Sequence, residues 1–217
     1  ARLFPPDLAA YLNRYYRGYG VDVLPGETAV GLEGEGAELT LVTGSGRRIE
    51  VNAVVAGIGI TPNVGLAQAA GLEVADGIVV DSALRTSHPD VYAAGDVANF
   101  YDQVLGMRRR VEHEDAANSM GAAAGRAMAG ATVDYDYLPF YYSDMFDLGY
   151  EAVGRLDARL ETAVEWQEPY RKGVIYYFDQ QRVCGVLLWN VWGKVDEARQ
   201  LLAEPSRFSA RTLQQER

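Results

Sequence analysis

Apolar residues recur three and four positions apart at Leu8, Tyr11, Leu12, Tyr15 and Tyr19. That spacing predicts an amphipathic helix, opened by Pro5-Pro6-Asp7 and stopped by Gly20. Residues 21–24 read as a short strand closed by Pro25-Gly26. Three strand-like runs follow, over 29–32, 38–42 and 48–51, with turns at Gly34-Glu35-Gly36 and Gly44-Ser45-Gly46. Residues 53–56 are continuously apolar, the pattern of a parallel strand buried on both faces. That run ends in Gly57-Ile58-Gly59-Ile60-Thr61-Pro62-Asn63, before a helix predicted over about 64–70. Residues 91–94 read as another short buried strand, and 112–128 as a helix rich in small residues. Beyond Gly130 the pattern turns aromatic and strand-like, over 150–156, 162–166, 173–178 and 183–189. Asp157-Ala158-Arg159 and Asp179-Gln180-Gln181 read as hairpin connections, so this sheet is predicted antiparallel. A helix over 195–203 closes the pattern, and the polar tail after it is expected to fray.

Composition narrows the function classes. The 217 residues are 48% hydrophobic and 23% charged, as in a globular chain of one large or two smaller domains. The net charge of −10 repels phosphate backbones, which argues against nucleic acid as a partner. No apolar run reaches the roughly 18 residues of a membrane span. The opening Ala-Arg-Leu-Phe-Pro-Pro-Asp lacks the pattern of a signal peptide. The single cysteine, Cys184, sits in an apolar run, which predicts a buried, inert thiol and a cytoplasmic location. No Cys-x-x-Cys or His-x-x-x-His spacing suggests a metal site, and no Gly-x-Ser-x-Gly supports a nucleophilic serine. His88 precedes Pro89 in a turn and reads as a surface residue.

The stretch from Thr86 to Asp96 carries the most chemistry. A Gly95-Asp96 pair at the end of the 91–94 run stands where ligands of open α/β sheets bind. Gly95 lets a polar chain approach closely, and the Asp96 carboxylate accepts hydrogen bonds from hydroxyls. The run resembles the second flavin-binding motif of flavoprotein reductases with two dinucleotide-binding folds, in which this aspartate holds the ribityl chain of FAD. Further motifs extend the resemblance over nearly the whole chain. They are Gly-Ile-Gly-Ile-Thr-Pro-Asn at 57–63, Arg108-Arg109-Arg110-Val111-Glu112-His113, Tyr142-Ser143-Asp144, Gly149-Tyr150-Glu151-Ala152-Val153-Gly154, Lys172 to Tyr177, and Leu188-Trp189-Asn190. Together they resemble the carboxyl-terminal half of reductases similar to apoptosis-inducing factor and the bacterial ferredoxin and rubredoxin reductases.

The resemblance implies an α/β chain: a partial FAD/NAD(P)-binding Rossmann-like region followed by a small α+β domain with an antiparallel sheet. Residues 1–52 would be the back half of an NAD(P)H-binding domain, 53–130 part of the FAD-binding domain, and 131–217 the C-terminal domain. It places Gly95, Asp96, Glu112, His113, Glu114 and Tyr142 around the flavin, with Gly59, Glu151 and Asn190 toward the nicotinamide; no catalytic residue is assigned. On sequence alone the acidic helix start at 112–115 is explained somewhat better by the helix dipole, and Glu151 equally well as a strand-edge carboxylate. Where the family usually has tryptophan, this chain has Tyr142, which stacks with less area. No Gly-x-Gly-x-x-Gly loop is present, so the chain alone is expected to be colourless and inactive. The function implied is electron transfer from NAD(P)H through FAD to a ferredoxin-like or quinone acceptor, with a homodimer as a further option. A lone cysteine argues against a disulfide mechanism. The alternative is a non-catalytic interaction or dimerisation module derived from such a reductase.

Overall fold

The structure, a computed structural model, describes residues 3–36 and 38–204. The polar tail expected to fray lies, from residue 205 on, outside the described residues. The chain divides into two compact units, one of residues 10–61 and one from residue 62 onward together with the chain's start up to Ala9.

Helix α1, Pro6–Gly18, follows the predicted apolar spacing. It ends with Val21 N donating to Tyr16 O and Gly20 N to Arg17 O, a pattern that satisfies carbonyls a helix end would otherwise leave open. In the smaller unit, β1 (Ala29–Glu35), β2 (Glu38–Thr43) and β3 (Arg48–Val51) form an antiparallel meander. Two predicted strands of this unit do not form. Residues 21–24 and 53–56 have no ladder partner among the described residues, and Val55 is 97% exposed. An extended run becomes a strand only when its N–H and C=O groups find neighbours.

The larger unit opens with α2 (Gly65–Ala69), close to the prediction. A four-stranded sheet follows in the order β4 (Val74–Ala75), β5 (Gly77–Val79), β6 (Ala98–Asp102), β7 (Met107–Arg109). Only β5 and β6 of this sheet run parallel. The strand predicted at 91–94 is reduced to an isolated bridge between Arg85 and Tyr92. This segment folds back on its own loop instead, with Thr86 N donating to Val91 O and Ala93 N to Leu84 O. Helix α3, Glu114–Met128, buries Met120, Ala123 and Ala124 against Val80, Leu84, Ala98, Phe100 and Tyr135.

The antiparallel sheet is as predicted, with one strand more. β8 (Phe140–Met145), β9 (Leu148–Gly154), β10 (Glu161–Glu168), β11 (Lys172–Asp179) and β12 (Arg182–Trp189) lie in the order β10-β11-β12-β9-β8. Helix α4, Val195–Ala203, matches its predicted span. Its Ala198 and Leu202 pack on Val153, Val186 and Leu188 of the sheet. Cys184 is buried on β12, and burial pushes its thiol pKa up, as expected of an inert cysteine.

Candidate functional site

The site grows from the 3₁₀ turn Gly95–Val97 and the start of α3. Gly95 has φ +74° and is buried, while Asp96 beside it is exposed. Arg110 joins these two places. Its guanidinium donates to the Asp96 carbonyl at 2.7 Å, to Glu112 Oε1 at 2.9 Å and to Asp76 Oδ1 at 2.9 Å. The Arg110 side chain is 9% exposed. Burial alone would lower its pKa, but the hydrogen bonds to Asp76 and Glu112 outweigh that and leave it raised. Arg110 reaches these partners by crossing Gly77, which has φ +89°; a Cβ there would come within 2.4 Å of Arg110 Cδ and of Val97 O.

His113 caps α3, its Nδ1 accepting from Asp115 N at 3.4 Å. The imidazole ring meets Tyr142 edge-on at 5.1 Å. Asp115 ties the helix start to the neighbouring edge strand, accepting from Phe140 N at 3.1 Å and from the Tyr137 hydroxyl at 2.9 Å. The aromatic edge of β8 is thereby held against the first turn of α3. Between them lies a cavity of about 650 Å³ whose wall includes Arg109, Arg110, Glu112, His113, Tyr141 and Tyr142. Arg109 is fixed there by Asp102, which is 3% exposed and lies 2.6 Å from its Nη2.

The structure therefore brings Glu112, His113 and Tyr142 together, and joins Asp96 to them through Arg110. Glu114 is exposed in the first turn of α3. Glu151 is paired directly across from Tyr142 and shares its sheet face. Its carboxylate does not line the cavity, however; it accepts from Gly193 N at 3.0 Å. Asn190 holds the fold together: its Oδ1 accepts from Gly149 N at 2.7 Å and its Nδ2 donates to Arg171 O at 2.9 Å. Gly59 belongs to the smaller unit and is exposed with φ +96°. His88 is exposed in its turn, as expected. The sequence pattern alone assigns no role to Arg110, Asp76 or Asp102. The Arg108-Arg109-Arg110 run is the one signal for them, since three adjacent arginines beside an acidic helix start need anionic partners.

A family model described as pyridine nucleotide-disulphide oxidoreductase matches residues 1–121, more than half of the chain. The chain belongs to this family. Within the oxidoreductase family its C-terminal part is similar to a more specific group: residues 161–204 match the model for the mitochondrion-associated apoptosis-inducing factor C-terminus. The apoptosis-inducing factor 1 of Dictyostelium discoideum is 37% identical, over 92% of this chain and 41% of its own length. Monodehydroascorbate reductase 3 of Arabidopsis thaliana is 37% identical, over 86% of this chain and 44% of its length. Among solved oxidoreductase structures, a ferredoxin reductase from Rhodopseudomonas palustris superposes with a TM-score of 0.84 at 28% identity, covering 95% of this chain and 52% of that one. The putidaredoxin reductase–putidaredoxin complex gives a TM-score of 0.86 at 26% identity, over 98% of this chain and 53% of that one. The chain spans about two fifths of the length of these curated relatives and about half of these solved chains.

Proposed function

We propose that this chain is the carboxyl-terminal portion of an FAD-dependent NAD(P)H oxidoreductase that passes electrons to a ferredoxin-like protein or a quinone. The observation that carries this reading is the convergence of Glu112, His113 and Tyr142 on one cavity, joined through Arg110 to the Asp96 turn. Similarity to the ferredoxin reductase and to the putidaredoxin reductase complex supports the ferredoxin-like acceptor. In this reading residues 1–52 belong to the NAD(P)H-binding domain, 53–130 to the FAD-binding domain and 131–217 to the C-terminal domain. A cytoplasmic location is part of the same proposal, supported by the reduced, buried Cys184.

The residues present fit a flavin nucleotide at its ribityl and ring end. The exposed Asp96 carboxylate accepts hydrogen bonds from sugar-alcohol hydroxyls. The start of α3 offers backbone N–H groups and the positive end of a helix dipole to negative charge. His113 and Tyr142 form an aromatic wall beside that helix start. Arg110 holds Glu112 and the Asp96 turn at a fixed separation, which limits the reorganisation that binding would need. FAD, when bound, supplies the redox-active ring that takes a hydride from the nicotinamide and returns electrons to the acceptor. With one cysteine, the chain contributes no thiol pair to that chemistry.

The test is FAD retention by the intact protein, followed by fluorescence as the cofactor dissociates. Asp96→Ala is expected to lose one or two charge-assisted hydrogen bonds, each about 1.5–3 kcal/mol, with little change in NAD(P)H affinity. Retention equal to that of the wild type would remove Asp96 from the site. An intact protein that never takes up FAD would sink the oxidoreductase reading.

A further inference from the structure

The start of α3 carries more negative charge than a helix end can offset. A helix N-terminus is worth roughly half a positive charge. Glu112 stands just before the His113 cap, and Glu114 and Asp115 just after it. An anionic ring is favoured here only where these carboxylates are compensated. Glu112 is bound by Arg110 at 2.9 Å. Glu114 stands in solvent, where water weakens its field. Asp115 remains, with a side chain only 19% exposed and turned away from the cavity wall.

The counter-charge for Asp115 comes from α4. Arg199 lies 84 positions further along the chain, and its side chain is 22% exposed. Its Nη2 stands 3.5 Å from Asp115 Oδ2 and donates to the Tyr137 hydroxyl at 2.5 Å. That hydroxyl donates in turn to Asp115 Oδ1 at 2.9 Å. The direct ion pair is loose, so the phenol between the two charges couples them. The rest of the guanidinium is fixed as well. Nε donates to Leu138 O at 2.9 Å, Nη1 to Asp196 Oδ1 at 3.0 Å, and the group lies 4.5 Å from the centroid of the Tyr137 ring. Asp196 is exposed, so water weakens its claim on the charge and leaves most of it to Asp115.

We propose that Arg199 is a positioning residue for the flavin: through Tyr137 it pins Asp115 and offsets its charge, so that the start of α3 favours the reduced, negatively charged ring. The assignment rests on the oxidoreductase reading above. Arg199 does not line the cavity, and it acts through the first turn of α3. The reduction potential of the flavin is thereby set in part from α4, a helix of the C-terminal region.

The experiment measures the midpoint potential of FAD in the intact protein, by equilibration with reference dyes, alongside Tm. Arg199→Gln removes the positive charge. It is expected to shift the ratio of oxidised to reduced flavin about tenfold toward the oxidised form, which for two electrons is about 30 mV more negative. Arg199→Lys keeps the charge without the planar fork, and its ratio is expected to stay within about twofold of the wild type. Asp115→Asn removes the charge that Arg199 offsets and is expected to shift the ratio the other way. A merely structural contact would lower Tm in these variants without giving potentials of opposite sign. Unchanged potentials in Arg199→Gln and Asp115→Asn overturn the proposal, as does a shift of the same sign in both. A shift in Arg199→Lys as large as that in Arg199→Gln also overturns it. Should Arg199→Gln fail to fold, Arg199→Lys and Asp115→Asn decide: the first near the wild type with the second shifted upward supports the proposal, and any other result overturns it. An intact protein that holds FAD at an unmoved potential leaves the oxidoreductase reading standing. One that takes up no FAD overturns both.

Discussion

The apolar runs at 53–56 and 183–189 look alike in sequence and end differently. Residues 183–189 lie in β12, hydrogen-bonded to β11 on one side and β9 on the other, and Trp189 is 0% exposed. The run at 53–56 continues into a segment in which Ile58 is 94% exposed, and it has no ladder partner among the described residues. The two runs have similar intrinsic preferences for extended backbone. What separates them is the supply of neighbours, which turns an apolar run into a buried strand. A continuous apolar run thus specifies a demand for burial, and the rest of the fold decides whether that demand is met.

Substitutions in the two regions should show this difference in stability. Trp189 stacks on Tyr150, meets Phe4 edge-on and donates from Nε1 to Tyr170 O at 2.9 Å. Trp189→Ala is expected to cost about 3–5 kcal/mol in urea unfolding. Val55→Ala, at a side chain already in solvent, should change stability by no more than about 0.5 kcal/mol. Comparable losses at the two positions would break the comparison.

A buried charge sharpens it further. Asp102 on β6 pairs with Arg109 on β7, and its Oδ1 accepts from Leu105 N at 2.9 Å. Arg109 also reaches Gly154 O of β9 at 3.4 Å, so the pair fastens the four-stranded sheet to the antiparallel one. Asp102→Asn leaves Arg109 without its counter-charge and should cost about 3 kcal/mol. A loss below about 1 kcal/mol in the urea midpoint analysis would show that solvent reaches and compensates Arg109.

The smallest effect expected is a pH dependence confined to buried phenols. Burial pushes the Tyr135 pKa up to about 12, against the opposing effect of its hydrogen bond with Ser119. Below about pH 10 the phenol is neutral in both folded and unfolded chains, and its burial contributes fully. Between about pH 10 and 12 the unfolded chain ionises first, so this stability is lost as pH rises. The slope of the urea midpoint over that window should flatten in Tyr135→Phe. An equal slope in the variant would assign the loss to other groups.

Much of the fold could be read from periodicity. The hairpin turns at 157–159 and 179–181 point to the antiparallel sheet, and the pattern over about 195–203 agrees with α4. β8 was not read as a strand, because its outer residues Tyr142 and Asp144 are exposed at the sheet edge and dilute the apolar signal. The runs at 21–24 and 91–94 read as strands on propensity alone, and among the described residues neither has the partners to become one. The site divides similarly. The local signals at Gly95-Asp96 and Glu112-His113 were visible, whereas their junction through Arg110 was not. That junction depends on Asp76, 34 positions earlier, and on a backbone carbonyl that any residue type could supply. Asn190 was placed near a ligand because side-chain type alone does not show that its amide is already engaged by Gly149 and Arg171.

The strand order of the antiparallel sheet also sets a sequence of events in time. The β8–β9, β10–β11 and β11–β12 ladders each join strands consecutive in the chain. β9–β12 alone joins strands separated by two others. The consecutive ladders close short loops, which takes microseconds in isolated hairpins, while the β9–β12 seam must close a longer one. Refolding of this sheet should therefore be limited by that seam. Trp189 sits at the seam, paired with Tyr150 and stacked on its ring at 6.3 Å, so its fluorescence should follow the slow step. Because the β11–β12 turn is formed before that step, mutations there would slow refolding with little change in the unfolding rate. A stopped-flow trace in which Trp189 reaches its native signal before the hairpins form would reverse that order.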